Sequence, residues 1–275
     1  MFTKIILTTL AISSTSGAIY IYYLHLSLSR EIKHEMSSSL PDSILPSFSN
    51  LHAKRPRVLH SLPLNLFLYP EKHVACYDVA NKSITKSNIP KHLQDNAAEL
   101  LTLYLRYTMT MFSKMMPQAW VLKLVLKERR QKESFKPEVI QRMEFVKGEL
   151  VCGVYEVLDR LEGSCEGVSW AQVEFGMAME GLEKVDGRLV CGIEIHETQV
   201  REGEARENGA EEVSFYSQTV QWKKKHPEMD KGDMVLPLER GSMRWLHELA
   251  SWSLLRSGVS MLVQMGKREK EQRRS

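Results

Sequence analysis

The sequence predicts an α+β fold in which an N-terminal transmembrane helix is followed by one domain with an antiparallel sheet covered by helices. Three observations support this prediction. They are a long uncharged segment near the start, a central region where apolar and polar residues alternate, and helical spacing of apolar residues on both sides of that region. The composition, with 43% hydrophobic and 26% charged residues, is that of an ordinary globular protein and leaves room for one membrane segment.

The first element is the uncharged segment from Ile5 to Leu28, which is longer than the roughly 20 residues needed to cross a bilayer. Tyrosines near its end suit a membrane interface. A cleavable signal peptide is the competing interpretation, with Lys4 at its start and small residues up to Ala18 at its cleavage site. Apolar residues continue beyond Ala18, so we expect an uncleaved anchor and a single-pass endomembrane protein of undetermined topology.

Composition along the chain predicts the domain boundaries. Residues 1–35 form the anchor, and the polar, proline-containing residues 36–57 form a linker. A single α+β domain spans 58–266, and a charged tail spans 267–275. The runs VLHSLPLNLFLY and HVACYDV at the start of the domain predict strands or extended segments.

Apolar residues recur every three or four positions between Asn96 and Met116, which predicts an amphipathic helix with Asp95 as its cap. Pro117 ends or kinks it, and the following AWVLKLVLKERR is either extended or helical. A second long helix follows Pro237, interrupted only by Gly258.

The spacing changes to a period of two between 145 and 225. The runs WAQVEFGMAME and RLVCGIEIHET predict strands with one buried face, and VSFYSQTVQWKKK is mixed. The run ELVCGVYEVLDR is apolar on both faces and predicts a central strand. Glycine-containing turns at 181–187 and 203–209 would connect a meander of at least four long strands. A helix, such a sheet and a closing helix resemble either a hot-dog domain or a helix-grip domain, and both arrangements form an apolar pocket.

Several kinds of chemistry have no motif in the sequence. There is no nucleophile elbow, Walker loop, Rossmann glycine pattern or H-E-x-x-H motif, and the four cysteines form no C-x-x-C pair. We therefore expect no cofactor and no metal. The net charge of +3 is too small to favour a nucleic-acid partner. Cys152 and Cys191 lie in apolar runs and are interpreted as buried thiols.

Three residues are the candidates for catalysis. Asp78 lies in an apolar strand, where a carboxylate is costly unless it is paired or functional. His196 shares a strand face with Glu194, although that face is the solvent side if Leu189, Cys191 and Ile193 face the core. His247 lies in the last helix next to Glu248, where an ordinary exposed charge cluster is the alternative. Four tryptophans could also line a ligand cavity: Trp170, Trp222, Trp245 and Trp252. Asn81 begins a glycosylation sequon, which matters only in a lumenal domain.

The segments ELVCGVYEVLDR, GRLVCGIEIHE, VSFYSQTVQWKKK and LPLERGSMRWLHELASWSLLRSGVSML resemble small membrane-anchored accessory proteins of fungal polyketide and polyketide-peptide biosynthetic clusters. The resemblance spans Leu62 to Met265 and carries no catalytic residues across. It implies a membrane-tethered accessory enzyme of secondary metabolism, acting as a cofactor-independent cyclase or isomerase on a lipophilic intermediate.

Two other functions stay open at this point. One is a hot-dog-type acyl thioesterase or dehydratase, and the other is a noncatalytic lipid-binding or scaffold protein. The expected partners are a hydrophobic small-molecule substrate, a membrane and other biosynthetic enzymes.

Overall fold

The computed structural model describes residues 19–45, 55–177, 185–197, 211–225 and 235–274. Within them, seven strands form one sheet: β1 (Lys33–Ser37), β2 (His73–Thr85), β3 (Leu150–Val151), β4 (Tyr155–Cys165), β5 (Val168–Met177), β6 (Asp186–His196) and β7 (Glu212–Lys224). The helices are α1 (19–31), α2 (Leu64–Leu68), α3 (Ala97–Met115), α4 (Pro117–Val125), α5 (Arg129–Glu133), α6 (Pro137–Ile140) and α7 (Gly241–Gln272).

All neighbouring strands of the sheet are antiparallel, in the order β1-β2-β7-β6-β5-β4-β3. Strands β4 to β7 form the predicted meander. Strand β2, which precedes most of the helices in the chain, pairs with β7 along its whole length, from His73 opposite Lys224 to Thr85 opposite Glu212. The α+β class and the antiparallel sheet with helices are therefore as predicted.

Both faces of the sheet are covered. The prediction that β5 and β6 bury only one face is therefore wrong, because Gln172, Glu174 and Glu194 on the other face are buried as well. Helices α3 and α7 pack on one face and form the main core with inward-facing residues such as Phe175, Ile193 and Phe215. The segment around residues 57–68 covers the opposite face, which we call the outer face, where it packs on Tyr77, Tyr216, Trp222 and their neighbours. Because strand residues alternate between the two faces, each strand contributes to both cores.

The predicted transmembrane helix and the single-pass membrane location are wrong. No helix within the described ranges is both long enough and apolar enough to span a bilayer. Residues 5–18 of the predicted span lie outside the described residues. Its remaining part is in α1, where Leu28 is fully buried in the main core, as is Ile32 just after the helix.

The folded unit extends beyond the predicted domain boundaries at both ends. Strand β1 belongs to the sheet although it lies within the predicted anchor and linker. Helix α7 continues past residue 266 to Gln272. Among the described residues before Val58, Leu28 and Ile32 are buried in the main core and Ile44 is buried in the core of the outer face.

Two details of the strands differ from the prediction. The run ELVCGVYEVLDR is a hairpin at the edge of the sheet, because Cys152 (φ 49°) and Gly153 (φ 72°) turn the chain between β3 and β4. A side chain at position 153 would also meet the ring of Phe135 at 2.7 Å, so glycine is required there. The turns predicted at 181–187 and 203–209 lie partly or wholly outside the described residues.

The helices also refine the prediction. Helix α3 is capped by Asn96, whose side chain accepts from the Glu99 amide, and not by Asp95. The segment after Pro117 is helical, with the proline in its first turn. Helix α7 runs through Gly258 without interruption. A Cβ at Gly258 would lie 2.4 Å from the ring of Tyr104, so glycine allows α7 to approach α3 closely.

Candidate functional site

A buried carboxylate bridges two histidines where β1, β2 and α7 meet. Asp78 lies on the face of β2 that the helices cover, and its side chain is only 3% exposed. Its Oδ2 is 2.6 Å from Nε2 of His34 on β1, and its Oδ1 is 3.3 Å from Nε2 of His247 on α7. Two of the three predicted catalytic residues, Asp78 and His247, are thus in direct contact.

The electrostatics of this bridge fix its protonation. Burial raises the pKa of Asp78, but hydrogen bonds from His247 and His34, together with their charges, outweigh burial and hold the pKa at about 2. The carboxylate is therefore ionised at neutral pH and can only accept hydrogen bonds. Each Nε2 must carry a proton to donate to it, so Nδ1 is the remaining nitrogen of His247.

His247 also lines a cavity of about 90 Å³ between α3, α7 and the sheet. The wall of the cavity is mostly apolar, with a few hydroxyl groups. It consists of Tyr104, Thr108, Met109, Phe112, Tyr155, Leu189, Cys191, Ser217, His247, Ala250, Ser251, Leu254 and Leu255. None of the four tryptophans proposed from the sequence is among them. Cys152 and Cys191 are both buried thiols, as predicted.

A second histidine–carboxylate pair lies beside the bridge. His25 of α1 stands 3.2 Å from Glu248, which also accepts from Arg244 at 2.7 Å. The ring of Trp252 stacks on His25 at 4.9 Å and meets His34 edge-on at 5.0 Å. These contacts hold α1 and β1 against α7. The sequence prediction missed His25 and His34 as site residues, because they lie in or next to the predicted anchor.

The third predicted catalytic residue, His196, lies on the outer face of the sheet. Cys191 and Ile193 do face the main core, which places Glu194 and His196 on the opposite side. Arg57 covers Glu194 with two hydrogen bonds of 2.6 and 2.8 Å. The side chain of His196 is 43% exposed and 3.6 Å from Glu194. The structure therefore separates His196 from Asp78 and His247.

The outer face holds a further buried carboxylate, Glu174. It accepts from the backbone amides of His60 and Ser61 at 2.9 and 2.8 Å. Next to it, Gln172 accepts from the Arg57 amide and donates to the Val58 carbonyl. These bonds fasten residues 57–62, which we call the strap, across the sheet.

Asn81 lies in the interior of β2, opposite Lys33 of β1 and Tyr216 of β7. Its Oδ1 is buried and has no partner within the described residues. Acceptor asparagines lie in surface loops, so this location does not favour glycosylation, which stays a prediction. No group of three His, Cys, Asp or Glu residues in the described ranges could hold a metal ion.

No family model, no curated protein and no solved structure matches this chain. No match to a solved structure supports the hot-dog-like or the helix-grip-like arrangement, and the resemblance to fungal accessory proteins stays a prediction.

Proposed function

We propose that the protein is a cofactor-independent enzyme that moves a proton within an apolar, polyketide-like molecule, in an isomerisation or a ring closure. A single observation carries the proposal. His247 is bound to an ionised, buried carboxylate and at the same time forms part of the wall of an apolar cavity. This combination of an oriented base and an apolar substrate site suits acid–base chemistry at carbon.

Each residue of the bridge has a defined part in such a reaction. Nδ1 of His247 takes a proton from the carbon next to a carbonyl, and the C–H electron pair forms the double bond of an enolate. Asp78 holds the imidazole in the required tautomer and stabilises the imidazolium that forms. The imidazolium then returns the proton to another carbon of the molecule, which completes an isomerisation. In a ring closure, the enolate carbon instead attacks a second carbonyl carbon of the same molecule, the C=O electron pair moves to that oxygen, and the imidazolium gives its proton to the resulting alkoxide. In isomerisation no atoms or electrons are gained or lost. His247 is the catalytic residue, and Asp78 and His34 are positioning residues.

The size of the cavity limits what it can hold. Its volume of about 90 Å³ is smaller than the roughly 150 Å³ of an engineered cavity that binds benzene. The cavity therefore holds only the reacting part of a ring or of a longer chain, and the remainder of the molecule would lie outside it. Holding that part in one conformation would itself accelerate ring closure. The resemblance to fungal polyketide accessory proteins agrees with a substrate whose carbonyl groups make neighbouring C–H bonds acidic.

Isomerisation of 3-cyclohexenone to 2-cyclohexenone tests the proposal, because it needs only proton transfer and the product absorbs in the ultraviolet. We expect the wild-type protein to accelerate this isomerisation and His247→Gln to lose the acceleration. The isomerisation rate of Asp78→Asn should be at least about 100-fold below that of the wild type. His196→Gln is the matched control on the outer face and should leave the rate unchanged.

Two outcomes would contradict the proposal. If the wild type binds the ketone without accelerating its isomerisation, the protein is a noncatalytic binding protein. If His247→Gln keeps the full rate, the base lies elsewhere.

A further inference from the structure

Two tyrosine hydroxyls on the cavity wall have no hydrogen-bond partner within the described residues. They belong to Tyr104 of α3, which is 3% exposed, and to Tyr155 of β4, which is partly exposed. The buried tyrosines of the outer face behave differently. Tyr216 donates to Gln172 at 3.0 Å, and Tyr77 accepts from Gln218 at 3.2 Å. Neither hydroxyl is among the fully buried polar atoms that lack a partner, so both are accessible to a small molecule, and a ligand in the cavity can accept hydrogen bonds from them.

Both rings are held firmly by their neighbours. Tyr104 packs against Phe215 at 5.3 Å, and Gly258 brings α7 close to the same ring. Tyr155 packs edge-on against Phe112 at 5.8 Å and Phe175 at 6.3 Å. Both side chains are therefore already held in place before a ligand binds, so binding costs less conformational entropy.

Their protonation makes both groups hydrogen-bond donors. Burial raises the pKa of Tyr104 and of Tyr155 well above the ordinary value, so both phenols are neutral at physiological pH. Thr108, a third hydroxyl on the wall, already donates to the backbone carbonyls of Tyr104 and Leu105.

We propose that Tyr104 and Tyr155 bind a carbonyl oxygen of the ligand and define its chemical class as an apolar ketone. This inference rests on the proposed function in one respect, since the oxygen would be that of the carbonyl beside the carbon that His247 deprotonates. A carbonyl oxygen has two lone pairs and can accept from both phenols. The negative charge that develops on it as the enolate forms strengthens both hydrogen bonds.

Binding of cyclohexanone and methylenecyclohexane tests the inference, because the two ligands share a shape and differ only in C=O against C=CH₂. We expect the wild type to bind cyclohexanone at least about tenfold more tightly. Tyr104→Phe and Tyr155→Phe should each reduce that preference several-fold while leaving methylenecyclohexane unaffected. In isotope-edited infrared spectra, the carbonyl stretch of the bound ketone should move to lower wavenumber in the wild type and move back in each variant.

Tyr107→Phe is the matched control, because Tyr107 lies on the same helix but not on the cavity wall. It should change neither the preference nor the spectrum. Thermal melts of each phenylalanine variant establish that it is folded before binding is measured.

His247→Gln separates this inference from the proposed function. It should lose isomerisation but keep the preference for the ketone. A wild type that prefers the ketone without catalysing isomerisation would support the carbonyl site and contradict the enzyme. Equal binding of the two ligands, or an unchanged preference in both tyrosine variants, would overturn the carbonyl site even if isomerisation is observed.

Discussion

Replacing Asp78 by asparagine perturbs the bridge at its centre. Asparagine has nearly the same shape, but it carries no charge and presents a donor on one of its two terminal atoms. His34 and His247 both approach Asp78 with Nε2, and a neutral amide can accept from only one of them through its oxygen. The other imidazole must change its tautomer or move away. The substitution should therefore lower stability as well as disturb His247.

The pKa of Asp78 sets the magnitude of this effect. A fall from the ordinary value of 3.8 to about 2 in the folded protein corresponds to about 2 kcal/mol of stability. Since the pKa is lowered by folding, this stability is fully present above pH 4 and is lost as the pH falls toward 2. At neutral pH we expect Asp78→Asn to be less stable than the wild type by about 2 kcal/mol.

Urea denaturation at a series of pH values between 2 and 7 measures the difference. The free energies of unfolding of wild type and Asp78→Asn should differ most above pH 4 and converge as the pH approaches 2. Asp42→Asn changes an exposed carboxylate and is the control, with little effect at any pH. A gap between wild type and Asp78→Asn that stays constant from pH 5 to pH 2 would refute the assignment of a low pKa to Asp78.

Three further predictions concern the packing around the site. Gly258→Ala should lower the free energy of unfolding, measured by urea denaturation, by about 1 to 2 kcal/mol, because the new methyl group overlaps the ring of Tyr104. A variant more stable than the wild type would contradict the close approach of α7 to α3. Glu174→Ala should lower the free energy of unfolding by about 2 kcal/mol and speed hydrogen exchange of the strap amides, because it removes their acceptor. Unchanged exchange rates would show that the strap does not depend on this carboxylate. Burial raises the pKa of the Cys76, Cys152 and Cys191 thiols to about 12, so a thiol reagent at pH 8 should label the native protein at Cys165 alone. Mass mapping that finds label on any other cysteine would contradict this burial.

The parts of the fold predicted correctly are those whose signal is local. Alternation in WAQVEFGMAME identified the buried residues Val173 and Phe175 of β5, and three-to-four spacing identified α3. Such periodicity reports which residues share a face. It does not report that the polar face is exposed, because Gln172 and Glu174 on the other face of β5 are buried as well. The hairpin between β3 and β4 was mistaken for one strand, because apolar residues lie on both sides of the turn and the turn contains only one glycine, Gly153.

The error at the N-terminus has a different physical cause. Leu24, Leu28 and Ile32 recur every four residues and pack against the main core, which is the pattern of an amphipathic helix. Before Arg30, the exposed residues of α1 include three tyrosines and no formal charge, so hydropathy alone does not reveal the polar face. A protein core and a bilayer core both favour the burial of apolar side chains, and a segment of this composition fits either.

The bridge could be predicted only in part, because its members are far apart in the chain. Asp78 stood out as a charge in an apolar strand, and His247 as part of a polar cluster. Their contact joins residues 169 positions apart, and His34 is 44 positions from Asp78. Nothing in the local sequence of any of the three indicates which of the others it meets.

The two most deeply buried carboxylates of the sheet show why the partner, and not burial alone, indicates function. Glu174 on the outer face is satisfied by backbone amides of the strap, which cannot gain or lose a proton in the physiological range. Asp78 instead accepts from two imidazoles, which can gain or lose a proton in that range. One of them, His247, forms part of the cavity wall. A carboxylate of the first kind fastens a segment to the sheet. One of the second kind controls the tautomer and the charge of a base, which is the reason that the catalytic role is proposed for the helix-covered face.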